Sequence, residues 1–211
     1  MKTMLPLLLS FCLLSCNKSS DTAPVPTTPY FPPITGNAWE TVTPASLNWN
    51  AAALTDLKTY LQQKGTKAFI ILVNGRIVVE EYMNGHTPSA SWPWNSAGKT
   101  LTTATIGIAQ QQGILNIQTR VSQYLGNGWT TAPANKENLI TLRHLLTMTS
   151  GLNDASEFVS PNNLSYLADA GTRWSYHNVF QKLMDVVTAS TGQDFRTYFS
   201  NQLRNKIGME G

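Results

Sequence analysis

Two β-rich runs, Ala68 to Val73 and Arg76 to Tyr82, meet at Asn74-Gly75, the dipeptide best suited to the positive φ angles of a two-residue type I′ turn. A chain with this signal is committed to an antiparallel hairpin early in its fold. Beyond the hairpin the hydrophobic period changes. From about Ser96 to Gln112 apolar residues return at helical spacing, with Leu101, Ala104, Thr105 and Ile108 on one face and Gly113 as the stop. Thr141 can cap a helix running to Met148, and Asn178 to Thr191 aligns Val179, Leu183, Val186 and Val187 ahead of Gly192. Asp194 to Asn205 gives a last helix, and Asn50 to Gln63 gives one before the hairpin. The order predicts an α+β fold, a helical region packed on an antiparallel sheet. No fixed-period repeat points to a solenoid.

The N-terminal segment has another purpose. Lys2 precedes an apolar stretch, Met4 to Leu14, that is too short to span a bilayer and has the make-up of an export signal. Leu13-Leu14-Ser15-Cys16 then resembles the bacterial lipobox, in which Cys16 is diacylated through its thiol and becomes the mature N-terminus. The alternative is an ordinary signal peptide with an incidental cysteine near its end. On the lipoprotein reading residues 1–15 are removed, Cys12 with them, so no thiol is left in the folded part for a disulfide. Asn17 resembles the residue after the lipidated cysteine in lipoproteins sent to the outer membrane. The predicted location is the cell envelope, with the membrane reached through the lipid on Cys16.

Residues 16–36 are rich in Ser, Thr and Pro, including Pro24, Pro26, Pro29, Pro32 and Pro33, a composition that favours an extended tether. The domain is expected from residue 37 to residue 211. The chain's 15 Lys and Arg against 12 Asp and Glu give a net charge of +3 with no dense basic cluster, which argues against nucleic acid as a partner. His86, His144 and His177 are isolated in sequence, so neither a metal site nor a cofactor is implied. A monomer acting on a small-molecule or peptide substrate is expected.

Two constellations could carry chemistry. Ser96-Ala97-Gly98-Lys99 sets a hydroxyl and an amine three residues apart at a helix start, close enough on one face to share a hydrogen bond. A serine there also meets the positive end of the helix dipole, which favours an attacking alkoxide and the later oxyanion. Ser15 and Lys18 show the same spacing, so context matters: Ser96 opens an amphipathic helix and the other pair does not. A plain capping role for Ser96 is the structural alternative. In Trp174-Ser175-Tyr176-His177-Asn178, an extended backbone would send Tyr176 and Asn178 to one side and His177 to the other. A buried tyrosine with a satisfied hydroxyl is the alternative here.

Taken together these segments resemble the beta-lactamase-related serine hydrolases, which include class C beta-lactamases, DD-peptidases and related esterases. The similarity runs from about Asn50 to Met209. It includes Ser96 to Lys99 with the helix to Gly113, then Ile114 to Ile117 and Val121 to Leu125. It continues through Ile140-Thr141-Leu142-Arg143-His144-Leu145-Leu146-Thr147-Met148-Thr149-Ser150-Gly151-Leu152, Gly171 to Asn178, and Thr191 to Met209. The resemblance implies that Ser96 is the acylated nucleophile, Lys99 its proton partner, Tyr176 the base or proton relay, and Asn178 a ligand for the substrate amide or carbonyl. The implied substrates are beta-lactams, D-alanyl peptides or esters. Lys99 or Tyr176 must spend time unprotonated although their ordinary values are about 10.4 and 10, and the sequence does not choose between them.

The family's third motif, a Lys-Thr-Gly-like or His-x-Gly-like strand, does not occur, so the resemblance also implies a domain cut short before its last strands. That leaves a noncatalytic envelope lipoprotein, binding peptidoglycan or a partner, as the alternative function; a sugar-binding surface lipoprotein rests only on the tether and tryptophans. Met148 stands where family members often have histidine. His144, beside two leucines, is expected to be a packed, hydrogen-bonded residue. Core packing is expected for Trp92, Trp94 and Trp174, with pocket lining as the alternative.

Overall fold

The computed structural model describes residues 27–36 and 38–209. The export segment and Cys16 lie outside the described residues. The chain divides into two compact units: residues 27–32 with 38–89, and residues 33–36 with 90–209.

In the first unit, Asn50 caps helix α1 (Ala51–Gln63) by accepting the Ala53 N–H at 3.1 Å, which satisfies one of the helix's orphan donors. Strands β1 (Ala68–Val73) and β2 (Arg76–Tyr82) pair antiparallel from Val73 opposite Arg76 to Ala68 opposite Tyr82. The register shifts between Ile71 and Leu72, where β2 carries one extra residue, a β-bulge. Asn74 and Gly75 have φ of 49° and 81°, as the type I′ turn requires. Gly75 has a second reason to be glycine: a Cβ there would lie 2.0 Å from the Tyr30 carbonyl oxygen.

Residues before α1 strap this turn. The Tyr30 N–H donates to the Asn74 carbonyl at 2.8 Å, and Trp39 Nε1 donates to the Gly75 carbonyl at 2.7 Å. Arg76, largely buried, donates to Glu40 at 2.7 Å and to the Thr28 carbonyl at 2.9 Å. Thr28 and Tyr30, assigned by composition to the tether, are thus bonded to the hairpin. Among the described residues β1 pairs only with β2, and Ile70 and Leu72 remain about half exposed.

The second unit holds the helical core. The helix expected from Ser96 is a 3-10 turn, Asn95–Gly98, leading into α2 (Lys99–Gln111). Its buried face is also displaced from the expected one, comprising Thr102, Thr105, Ile106 and Ala109, while Leu101 and Ile108 are only half-buried. Of the expected Leu101, Ala104, Thr105 and Ile108, Thr105 is buried and Ala104 is exposed. The threonines can turn inward because a hydroxyl finds a partner within the helix, as Thr105 does on the Leu101 carbonyl at 2.8 Å.

Short helices α3 (Ser122–Leu125) and α4 (Ala134–Glu137) precede α5 (Leu142–Leu146). Thr141 and His144 form a reciprocal cap at the start of α5. After a 3-10 turn, Asn178–Gln181, come α6 (Lys182–Thr191), then α7 (Phe195–Gln202), capped by Asp194. Leu183, Val186 and Val187 of α6 are fully buried in one cluster with Ile106 and Ala109 of α2 and Leu142 and Leu145 of α5. Val179 joins them, so the apolar stripe read across 178–191 is the buried one although its first turn is 3-10.

Two fixed points organise the connections. Glu137 is 2% exposed and accepts the Gly128 N–H at 2.8 Å, the Thr130 N–H at 2.9 Å and the Thr130 hydroxyl at 2.6 Å. Gly151, at φ 75°, accepts the Leu167 and Ala168 N–H groups, and a Cβ there would lie 2.1 Å from the Ala168 carbonyl oxygen. The glycine after Thr149-Ser150 is thereby explained by close backbone approach. Among the described residues no helix is long and apolar enough to cross a membrane.

Candidate active site

Ser96 lies exposed in the 3-10 turn, and the half-buried Lys99 is the first residue of α2. Asn95, just before the serine, has φ 47°, a left-handed conformation that asparagine tolerates better than most residues. The three-residue step from Ser96 to Lys99 keeps both side chains on one side, and Lys99 Nζ donates to Ser96 Oγ at 3.2 Å. The ammonium also lies 5.0 Å from the centroid of the Tyr176 ring and 5.9 Å from that of Phe180, within cation–π range.

The Tyr176 phenol is held below its ordinary value, first by interaction with the Ser96 hydroxyl and then by Lys99, whose positive charge acts in the same direction; desolvation opposes them. Ser96, Lys99 and Tyr176, drawn from two distant stretches of sequence, form one cluster. Tyr176 is 52% exposed, which excludes the alternative of a buried structural tyrosine. Such a cluster can move a proton from a hydroxyl to a phenolate beside a cation, the elementary step of making a serine nucleophilic.

Asn178 follows His177, whose φ of -142° and ψ of 148° are extended. Asn178 is itself the first residue of a 3-10 turn. Its Nδ2 donates to the Glu157 carbonyl at 3.1 Å. His177 is 6% exposed; its Nδ1 accepts the Val179 N–H at 3.3 Å. Nε2 therefore carries the proton and donates to the Ser156 carbonyl at 2.7 Å. Both ring nitrogens are thus engaged by backbone groups, and the ring holds structure rather than chemistry.

Trp92, Trp94 and Trp174 do not pack in the core. They are 59%, 59% and 67% exposed. Trp92 and Trp94 belong to the loop entering the Ser96 turn. Trp174 is flanked by Arg173 and Ser175, which both turn to Asp154, and alternation sends the indole the other way. Trp129 is the buried indole. His144 is packed as expected: its Nδ1 accepts the Thr141 N–H at 3.2 Å, and burial, the largest influence, lowers its pKa.

Sequence reasoning missed Asp154. One oxygen of its carboxylate accepts from Arg173 Nη2 at 2.8 Å and from the Ser175 hydroxyl, and these two donors hold its pKa down to about 2. The signal was present in Arg173 and Ser175, alternate residues beside the tyrosine, but their acceptor lies about twenty residues away. Among the described residues no group of three or more His, Cys, Asp or Glu is placed to hold a metal ion.

The fold is shared with known proteins. The chain resembles a Bacillus anthracis protein described as a 6-aminohexanoate-dimer hydrolase, with 19% identity over 72% of this chain and 47% of that one and a TM-score of 0.62. The octameric penicillin-binding protein homologue from Pyrococcus abyssi matches with 16% identity over 76% and 44% of the two chains and a TM-score of 0.61. FmtA from Staphylococcus aureus gives 16% identity over 80% and 51%, with a TM-score of 0.60. The chain thus spans about half the length of these solved structures, and at these identities the likeness establishes the fold. None of the curated proteins matches it. The Beta-lactamase family model matches residues 57–211, which include the whole Ser96, Lys99 and Tyr176 cluster and most of the chain. The chain belongs to the Beta-lactamase family.

Proposed function

We propose that this protein is a serine hydrolase that works through an acyl-enzyme on Ser96. The observation that carries the reading is the position of Lys99 Nζ, 3.2 Å from Ser96 Oγ and 5.0 Å from the Tyr176 ring centroid. Tyr176, as phenolate, takes the hydroxyl proton while Ser96 Oγ bonds to the substrate carbonyl carbon and the carbonyl electrons move to oxygen. On collapse the bond to the leaving group breaks, and that group receives the proton from Tyr176. Water then attacks the acyl-serine, delivers a proton to Tyr176, and Ser96 departs with it. Lys99 favours the phenolate throughout. Asn178, with Nδ2 bonded to Glu157, offers Oδ1 to a substrate N–H.

Beta-lactams, D-alanyl peptides and esters all present the carbonyl this cycle needs. On the same reading Cys16 carries the lipid that anchors the protein in the envelope. The test is turnover of a chromogenic cephalosporin, a D-alanyl-D-alanine peptide and a short-chain p-nitrophenyl ester by the purified chain and by Ser96→Ala. Hydrolysis of one class that disappears in the alanine variant, and that rises with pH as Tyr176 ionises, is expected. Equal rates in the two proteins would refute a serine mechanism, and no turnover of any class would favour the noncatalytic envelope role.

A further inference from the structure

The residues on either side of Tyr176 are both fastened to one short segment, 154–156. Before it, the Ser175 hydroxyl donates to Asp154, and two residues earlier Arg173 donates to the same carboxylate oxygen at 2.8 Å. After it, His177 Nε2 donates to the Ser156 carbonyl at 2.7 Å. The Ser175 N–H is also fixed, to the Met148 carbonyl at 2.9 Å. Tyr176 is the residue between these anchors whose ring meets Lys99.

Tyr176 is not held by burial in the core. It is 52% exposed, whereas its neighbour His177 is buried. The direction of its Cα–Cβ bond is set by the backbone at 175 and 177. Among the described residues that set that backbone, Asp154 binds two side chains of the tyrosine's own segment, and it does so as an anion, with charge-assisted bonds stronger than neutral ones. The salt bridge is partly shielded, with the Asp154 side chain 26% exposed.

We propose that Asp154 is a positioning residue for Tyr176: its carboxylate, gripping Arg173 and Ser175, holds the phenol against Ser96 and Lys99. The inference rests on the proposed role of Tyr176 in proton transfer, but its geometric content does not require turnover. Losing the grip lets Tyr176 leave the hydroxyl and ammonium that lower its phenol, so the group returns toward the ordinary value of about 10. Misplacing a proton acceptor by about 1 Å costs reaction rate on the order of 10²-fold.

The test uses the full chain with Asp154→Asn, Ser175→Ala and Asp154→Glu. Tyr176 is titrated by tyrosinate absorbance, isolated as the difference between each protein and its Tyr176→Phe partner, and Ser96 acylation by a fluorophosphonate is monitored by intact mass. In Asp154→Asn the phenol should titrate at higher pH and labelling should slow on the order of 10²-fold. Ser175→Ala, which keeps the arginine pair, should shift both in the same direction by less, and Asp154→Glu should restore part of each. If Asp154→Asn does not fold, Ser175→Ala decides. An unchanged Tyr176 titration in a folded variant overturns the proposal. A titration that moves while the wild-type chain never labels at Ser96 upholds Asp154 as the positioning residue and rejects the acyl-enzyme reading instead.

Discussion

Glu137 offers a test of the helical unit that is independent of catalysis. It is 2% exposed and neutral donors surround its carboxylate: the N–H groups of Gly128 and Thr130 and the Thr130 hydroxyl. Glu137→Ala removes all three acceptor contacts. The hydroxyl can rotate to another partner, but the two backbone N–H groups are fixed. A hydrogen bond to a charged group contributes about 1.5–3 kcal/mol, so losing two costs about 3–6 kcal/mol. For a chain of this size that lowers the melting temperature by roughly 6 to 24 °C, a large share of the about 5–15 kcal/mol that holds a domain folded. Glu137→Gln keeps one oxygen and turns an amide toward one donor, so it should cost about half as much, about 1.5–3 kcal/mol. Urea unfolding of the three proteins, monitored by tryptophan fluorescence, measures both values. An alanine variant within about 1 kcal/mol of wild type, or a glutamine variant less stable than the alanine one, would show that the carboxylate does not organise residues 128–130.

Other substitutions probe other parts of the molecule. Gly151→Ala, at φ 75° with a Cβ 2.1 Å from the Ala168 carbonyl oxygen, should displace the 166–168 segment and lower the melting temperature more than Gly107→Ala, where a Cβ meets nothing within 4 Å. Asp154 has a folded pKa of about 2 against an ordinary 3.8. A depressed carboxyl stabilises the fold above its unfolded value and loses that contribution as pH falls through the folded one. The stability gap between wild type and Asp154→Asn should thus be full above about pH 5 and shrink progressively as pH falls toward about 2, as read by melting temperature across that range. Cys16→Ser, expressed from the full gene with its leader, should abolish lipid labelling and move the protein from the membrane to the soluble fraction; unchanged membrane retention would contradict the lipid anchor.

The hairpin and the α6 stripe were legible because each is specified locally. Asn74-Gly75 fixes a turn by backbone preference alone, and Val179, Leu183, Val186 and Val187 keep one period across the change from 3-10 to α geometry. The start of α2 lies three residues beyond its expected position because a 3-10 turn and a helix share nearly the same spacing over one turn. Thr105 is on the buried face of α2 as expected, but Thr102, Ile106 and Ala109 join it in place of Leu101, Ala104 and Ile108, because a threonine hydroxyl that can be satisfied inside the helix lets Thr102 compete with its apolar neighbours for the core. In the site, the Ser96 and Lys99 pair is a local spacing and was visible. That Tyr176 joins it rested on the family resemblance, since no periodicity relates residues about eighty apart. The expected alternation of Tyr176 and Asn178 needs an extended backbone at His177, which is present, but the bond from Asn178 Nδ2 to the Glu157 carbonyl spans about twenty residues and leaves no local signal. Asp154 was invisible because a single acidic residue in a polar loop says nothing until its donors are seen. The tryptophans misled because large aromatic residues are usually buried, and only alternation along residues 173–175 turns Trp174 outward.

The most direct test of the central claim is the mass of the intact chain after exposure to a fluorophosphonate, with Ser96→Ala as the control. Activation of Ser96 by Lys99 and Tyr176 predicts one adduct per chain, mapped to the peptide containing Ser96 and lost in the alanine variant, with parallel labelling by penicillin if beta-lactams or D-alanyl peptides are the substrates. A chain that melts cooperatively and yet gains no mass at Ser96 would contradict the account, leaving the Ser96, Lys99 and Tyr176 cluster as inherited geometry without nucleophilic chemistry.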